Sequence, residues 1–555
     1  MKSIKYILGA AGMLFVSSCG SDFLDKVPEG SYVEDNYYAS DDAVAAATGP
    51  LYNRAWFDFN QRSINPMGSA RANDVYSPYN FKSFTLFTVD ALDSDLSSAW
   101  SGIFSVVTMA NAALENIETK CLPEVSEKAR LQGKAEARLM RACAYYYAVH
   151  IWGSVILFEN NKDVVDHPVR PRHYEEDVFE FIIRDLEFAA KYLPETPAAT
   201  GRATCWSAKA MLAKTYLARS GWGKSTRDQE DLDKCKELCL DVIENSGSVL
   251  MENYHDLFKY RHNNNIECLL ALQWYASADG PWYVKNALLS DLCADSKMIG
   301  GFGAWSALRA GADMLMQYRY KNQVTGKYEW EEIRRDATFC TPGAHYDYIC
   351  IADGGYTYDG EEAIIKKGVP GGPDDDNDGF VSDMNSPLNT YIVRLADIYL
   401  TYTEACLGNN ASVSGDDIRY FNAVRRRAGI KEATSVTLDD LIREHRVEFS
   451  MEYQNWYYLV DLYKWQPEKM LAYFNNQYRG YTYEKIEIGP KQEISFVTKP
   501  ENSWQTYEET EFGKLVVPEV IANVTDNNMF FPYPESDVIQ NPLLKAEPEH
   551  YNFQN

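Results

Sequence analysis

The chain has 555 residues, with 54 Lys or Arg against 80 Asp or Glu and a net charge of −26. That acidity excludes nucleic acid, whose phosphates need a basic surface, and disfavours adsorption to anionic lipid. The 11 cysteines are scattered without a disulfide framework, and the length is ample for a large buried core.

Residues 1–18 read as a secretory signal. Lys2 and Lys5 make a basic start, and an apolar run follows from Ile7 to Val16. Crossing about 30 Å of hydrocarbon as a helix takes roughly 20 residues, so this run is a targeting segment and not a span. Val16-Ser17-Ser18-Cys19 fits a bacterial lipobox: an apolar residue, two small residues, then the cysteine that is acylated. The alternative is an ordinary signal with a chance cysteine. Each buried CH₂ contributes about 0.8 kcal/mol, so stable anchoring needs more than one chain. Cys19 is the expected lipidation site, and residues 19–34 a lipidated tether. No later apolar run is long enough to span a membrane, so the body is expected to be soluble and tethered.

Helical periodicity dominates the next two hundred or so residues. "SSAWSGIFSVVTMANAALENI", near residue 100, is one helix, and Trp100 at its start is expected in the core. In 127–152, Leu139, Cys143, Tyr147 and Ile151 form one stripe, and Gly153 is the stop. Val178, Ile182, Leu186, Ala189 and Leu193 mark a helix ended by Pro194. Thr204 caps "CWSAKAMLAKTYLARS", closed by Gly221, and 230–246 make a fourth helix after 127. Cys235 and Cys239 share one of its faces, with no histidine nearby to make a metal site. Later helices are predicted over 391–407, 417–429 and 437–462, the last with Thr437 and Asp440 as a capping box. Helices joined in pairs by short turns resemble repeat arrays, although no regular period is visible.

Between about 251 and 390 the texture changes. "ADGPWYV", "GGFGAW" and "GVPGGPDDDNDGF" read as loops, as does "SARANDVYSPYNFKSF" at 69–84. Function is expected on such loops, held by a helical scaffold. Catalytic motifs are missing: there is no phosphate-cradling glycine loop, no H-E-x-x-H and no nucleophile elbow, and the eight histidines are dispersed. Asp374, Asp376 and Asp378 with Gly379 match the start of a calcium loop, but the twelfth position is Asn385 instead of a bidentate Glu. The competing reading is a solvated acidic turn.

Aromatic residues make up 14% of the chain, with 39 Tyr and 12 Trp. Tyr76, Tyr79 and Phe81 follow "ARAND"; Trp274, Tyr275, Trp282, Tyr283 and Trp305 lie in the loop-rich middle. Rings beside Gly and Pro, off any helical stripe, are candidates for an exposed platform on which sugar faces stack, with Asn, Asp and Arg taking the hydroxyls. The alternative for each ring is packing of its own loop.

Seven stretches in order resemble the SusD/RagB outer-membrane lipoproteins of Bacteroidetes. They are "SCGSDFLDKVP", "AEARLMRACAYYYAVHIWGSVIL", "VFEFIIRDLEFAAKYLP", "GRATCWSAKAMLAKTYL", "RLADIYLTYTEA" with "FNAVRRRAGI", "IREHRVEFSMEYQNWYYLVDLYKW" and the ending "NPLLKAEPEHYN". Ile156 departs from the pattern, which has proline there. The resemblance implies a mostly α fold: a tetratricopeptide-like helix-pair superhelical scaffold with a loop-rich irregular subdomain carrying the ligand site. It implies 35–250 as an N-terminal helical-repeat region, 251–390 as the ligand-binding region and 391–555 as the C-terminal region.

The implied role is non-enzymatic. A surface-exposed, lipid-anchored outer-membrane protein captures poly- or oligosaccharide and delivers it to a SusC-like TonB-dependent transporter, acting as its lid. No cofactor is required, Ca²⁺ being the one candidate. A plant β-glucan or hemicellulose is the expected ligand; a peptide-binding importer component and an all-helical glycoside hydrolase are the alternatives. By location, the resemblance implies Trp282, Trp305 (just before a helix expected over 306–319), Phe81, Tyr79, Tyr283 and Tyr76 as ligand rings, and Asn73, Asp74 and Arg71 as hydroxyl partners. The charges of "AVRRRAG" and "REHRVEF" are expected to pair inside the fold.

Overall fold

The structure is a computed structural model that describes residues 37–77, 79–275, 280–302, 308–498 and 505–553. The signal, Cys19, the tether and Trp305 lie outside the described residues.

Helix ends follow the capping chemistry of the sequence. α1 (Asp41–Thr48) starts at Ser40, whose hydroxyl accepts from the Ala43 amide. α2 (Ser94–Lys120) starts at Asp93, which accepts from the Asp95 and Leu96 amides. α3 (Glu127–Trp152) starts at Ser126 and stops at Gly153, where φ is +71°. A Cβ at Gly153 would lie 2.7 Å from the Glu175 carboxylate, so a side chain is excluded by space as well as by backbone. α4 (Glu175–Tyr192) buries the predicted stripe of Val178, Ile182, Leu186 and Ala189. α5 (Cys205–Gly221) carries the Thr204–Ser207 capping box, and α6 (Gln229–Asn245) is capped by Asp228. Each helix from α2 to α6 packs on the next, and α7 (Leu395–Leu407) continues the stack against α6. This is the expected tetratricopeptide-like scaffold. Trp100 is buried within it, and Cys235 and Cys239 are buried with sulfurs 4.0 Å apart.

Three sequence expectations are corrected. Residues 391–394 are not the start of a helix but part of strand β6 (Thr390–Arg394), which pairs antiparallel with β2 (Cys268–Leu272). An apolar run buried on both faces does not distinguish strand from helix by periodicity. Residues 437–462 form two helices, α9 (Leu438–Phe449) and α10 (Asn455–Trp465), after α8 (Arg419–Arg427). Met451 and Tyr453 have φ of +62° and +67° at the break. There the chain passes so close to Gly68 that a Cβ on that glycine would meet the Tyr453 carbonyl oxygen at 2.3 Å. The helix expected over 306–319 is instead strand β3 (Arg309–Ala310) and a short helix, Ala312–Gln317.

Two small sheets complete the loop-rich part. One has the order β1-β3-β5-β4, with β1 (Val75–Tyr76), β4 (Phe339–Cys340) and β5 (Ile364–Ile365), all pairs antiparallel. The other runs β7-β8-β10-β9, formed by Lys485–Ile488, Ile494–Val497, Gly513–Val516 and Tyr507–Thr510 respectively. Helical stack and sheets share one hydrophobic core.

The C-terminal charges pair internally, as expected. Arg394 reaches Glu267 at 2.6 Å, Glu448 at 2.7 Å and Glu452 at 2.8 Å. Arg334 reaches Glu331 at 2.8 Å, Glu444 at 2.7 Å and Glu448 at 3.0 Å. Arg427 bridges Glu267 and Glu448, Arg425 meets Glu444, Arg443 meets Glu331 and Glu444, and Lys367 meets Glu452. All these groups are buried or nearly so. Burial alone would raise the Glu448 carboxyl, but Arg427, Arg394 and Arg334 outweigh it and hold the group well below the usual carboxylate range.

Removing one partner of a buried ionic cluster typically costs about 3–5 kcal/mol. Arg394→Ala should destabilise the chain by about that much in urea unfolding; a loss under about 1 kcal/mol would contradict this role for the lattice. A depressed folded-state pKa stabilises above the unfolded value and loses that effect as pH falls. Stability should therefore hold near neutrality and decline once pH drops below the ordinary glutamate value of about 4.3. Undiminished stability at about pH 3 would be inconsistent with Glu448 ionised in the folded state.

Candidate functional site

Trp282 and Tyr283 sit in a tight turn, Trp282–Val284, entered through Pro281. Val284 accepts a backbone hydrogen bond from Tyr275 at 2.8 Å, which ties the turn to the end of the β2 segment. Trp282 is 42% exposed and Tyr283 44% exposed. Each ring is held on one side. Trp282 meets the buried Phe57 edge-on at 5.6 Å, and the Arg54 guanidinium lies 4.8 Å from the Tyr283 centroid. Half-held rings present a face whose orientation is set before any ligand arrives, so little side-chain freedom is lost on binding. Tyr275 is exposed beside them in the chain.

Arg54 and Phe57 open a helical run that continues to Ala70 through two π-helical turns, Phe59–Ser63 and Asn65–Ala70. Beyond it the chain enters β1 and then the 77–81 loop. Tyr76 pairs with Arg309 in an antiparallel ladder, so Ser77 and Leu308 leave the sheet at the same end. The loop therefore emerges beside the chain that bounds the segment holding Trp305, which is outside the described residues. Ser77 Oγ accepts from the amides of Tyr79 and Asn80 at 3.2 and 2.8 Å. Tyr79 is 83% exposed. Phe81 has φ of +61°, unusual for a bulky residue, and its half-buried ring leans edge-on to Phe84 at 6.5 Å.

Four expected residues face inward instead. Tyr76 is buried, donates to Glu362 at 2.8 Å and packs on Tyr483. Arg71, Asn73 and Asp74 are buried, which removes them as hydroxyl partners on this platform. Asp74 accepts from Asn455 at 2.9 Å and faces Arg446 at 3.7 Å. Burial, only partly offset by Arg446, raises its pKa to about 6. The π-helical run, the turn after it and β1 all lie in the core, which the loop-like composition did not reveal.

A cavity of about 430 Å³ adjoins the 77–82 loop, closed on its far side by Thr482, Thr506 and Val516–Glu519 around the second sheet. These positions lie some 400 residues away in sequence and carry no motif. The same holds for Arg54 and Phe57, whose role depends on rings two hundred residues later.

In the acidic loop an arginine pairs with two of the carboxylates. Arg261 donates to Asp376 at 2.7 Å and to Asp378 at 2.6 and 2.8 Å, so a guanidinium takes the place between the carboxylates. The loop turns around Asp375, which accepts from the Cys350, Ile351 and Gly372 amides. Among the described residues no three His, Cys, Asp or Glu side chains gather into a metal site.

Comparison with known proteins follows this geometry. Residues 245–550 match the SusD family, and residues 22–217 match a family described as starch-binding associating with outer membrane. A SusD-like protein of Bacteroides ovatus is 54% identical over 555 residues, spanning 100% of this chain and 99% of its own. Two solved structures, each 54% identical, align with TM-scores of 0.88 and 0.85. They cover 94% and 92% of this chain and 100% of theirs, and the second is a crystal structure with a xylogluco-oligosaccharide. The chain belongs to the SusD family, as its motif order implied.

Proposed function

We propose that this protein is a surface-anchored glycan-binding lipoprotein that captures an extended hemicellulose of the xyloglucan type. It is a binding protein and not an enzyme. The observation that carries the ligand class is the 54%-identical protein whose crystal structure was determined with a xylogluco-oligosaccharide. Two features of this chain support it. Trp282 and Tyr283 are nearly half exposed, the first held edge-on by Phe57 and the second by the Arg54 guanidinium over its ring. A second pair of rings, the exposed Tyr79 and the half-buried Phe81, lies in the 77–81 loop, beside a cavity of about 430 Å³.

The physical rationale is stacking. The C–H faces of a β-linked glucan backbone lie flat on indole and phenol rings and bury apolar area, while the sugar hydroxyls stay in water. Delivery is to a SusC-like TonB-dependent transporter, on whose barrel the helical scaffold closes as a lid. Anchoring at Cys19 keeps the captured ligand beside that transporter.

Trp282→Ala combined with Trp305→Ala should weaken xyloglucan binding at least about tenfold in affinity electrophoresis, taking roughly 1 kcal/mol per truncated aromatic anchor. Undiminished retention by a folded double variant would overturn the platform. Cys19→Ser should abolish lipid labelling and move the protein from the membrane fraction to the soluble one; continued membrane association would refute the anchor.

A further inference from the structure

A second cavity, of about 410 Å³, lies at the junction of the α3 C-terminus, the 527–533 segment and Arg71. That volume is within the range of small-ligand sites. Trp152, Phe530 and Tyr533 line it, with Arg71, Arg172 and Glu175 as its charged groups. Phe530 and Tyr533 are only partly buried, so ring surface remains for a ligand.

The charge balance at this cavity is unusual for the molecule. Buried arginines elsewhere have carboxylates: Arg141 meets Asp185, Arg446 meets Asp313, and Arg334 and Arg394 meet glutamates. Arg71 has none within 4 Å among the described residues. Its guanidinium bonds only to the neutral carbonyls of Phe84, Asn528 and Met529, and stacks 3.5 Å from the Phe87 centroid. Its Nε has no partner. Behind it Arg479, also buried and without a carboxylate, donates to the Arg71 carbonyl at 2.8 Å. Burial and the nearby Arg479 charge push the Arg71 pKa well below its usual value. Arg172 likewise meets only neutral acceptors, the Ala546 carbonyl at 3.0 Å and the Tyr533 hydroxyl at 3.0 Å. Glu175 does not offset these charges, because Lys464 at 2.8 Å and the Trp222 indole already engage it. A chain of net charge −26 thus keeps a surplus of positive charge at one aromatic-walled cavity. Leaving a buried ion without a counter-ion costs several kcal/mol.

We propose that this cavity is a binding site for a small organic anion that carries its carboxylate on a six-membered ring. The carboxylate pairs with Arg172 at the cavity and is drawn by the Arg71–Arg479 charge behind it. The ring lies against Phe530 and Tyr533. A sugar acid and an aromatic acid share this chemistry, and the arms of the test separate them.

The test is calorimetric titration of the purified full chain in detergent with sodium D-glucuronate and with sodium benzoate. D-glucose, benzyl alcohol and sodium acetate serve as comparisons. The site predicts saturable binding of one ring acid, at least tenfold tighter than its neutral counterpart and than acetate. Arg172→Gln should weaken that binding at least tenfold, and Arg172→Lys should restore part of it. Binding of glucuronate alone assigns a sugar acid, and of benzoate alone an aromatic acid. No binding of either, equal binding of the neutral compounds or acetate, or full affinity in a folded Arg172→Gln variant would each overturn the proposal.

Discussion

The buried lattice of arginines and glutamates is the constraint on which the rest of the fold depends. Glu267 comes just before β2, Glu331 and Arg334 from the middle of the loop-rich part, Arg394 from the end of β6, and Glu444 and Glu448 from α9. None of these charges is tolerable alone in an apolar interior, since desolvation exceeds any single attraction. Together they satisfy one another only when all the segments are in register. The lattice therefore selects one arrangement of an otherwise irregular chain more than it adds net stability. It also fixes the base from which β2 and the segment after it run out toward Trp282.

The proposed platform follows from that arrangement. Helices supply rigidity, short strands set where loops leave the sheet, and rings are braced from beneath by residues remote in sequence. Phe57 under Trp282 and Arg54 beside Tyr283 do for the rings what supporting groups do around any binding residue: they fix orientation before the ligand arrives. Phe81 adds a backbone conformation that bulky residues rarely adopt, a strain that the packing around Phe84 and the sheet holds in place.

Much of the scaffold was readable in the sequence because helices are local objects. Thr204 and Thr437 cap where their side chains and the following periodicity say they should, and Gly153 stops α3. The errors arose where the decisive partner was distant. Residues 391–394 became a strand because β2 lies alongside them, and the 437–462 helix broke where Gly68 lets another backbone approach. At the site, exposure of Trp282, Tyr283 and Tyr79 agreed with their loop setting, whereas Arg71, Asn73 and Asp74 sat in similar composition and proved buried. Local polarity cannot distinguish a surface loop from a turn buried in the core. In the acidic loop, too, the partner is distant: Arg261, more than a hundred residues away, donates to Asp378.

The proposed platform requires an extended glycan to lie across the two aromatic groups. Hydrogen–deuterium exchange of the chain with and without a xyloglucan oligosaccharide tests it most directly. Bound glycan should slow exchange at residues 77–82 and 280–284 together, because both loops lose solvent and motion under one ligand. Slowed exchange confined to the segment 527–533, or unchanged exchange in both loops at saturating ligand, would contradict the account.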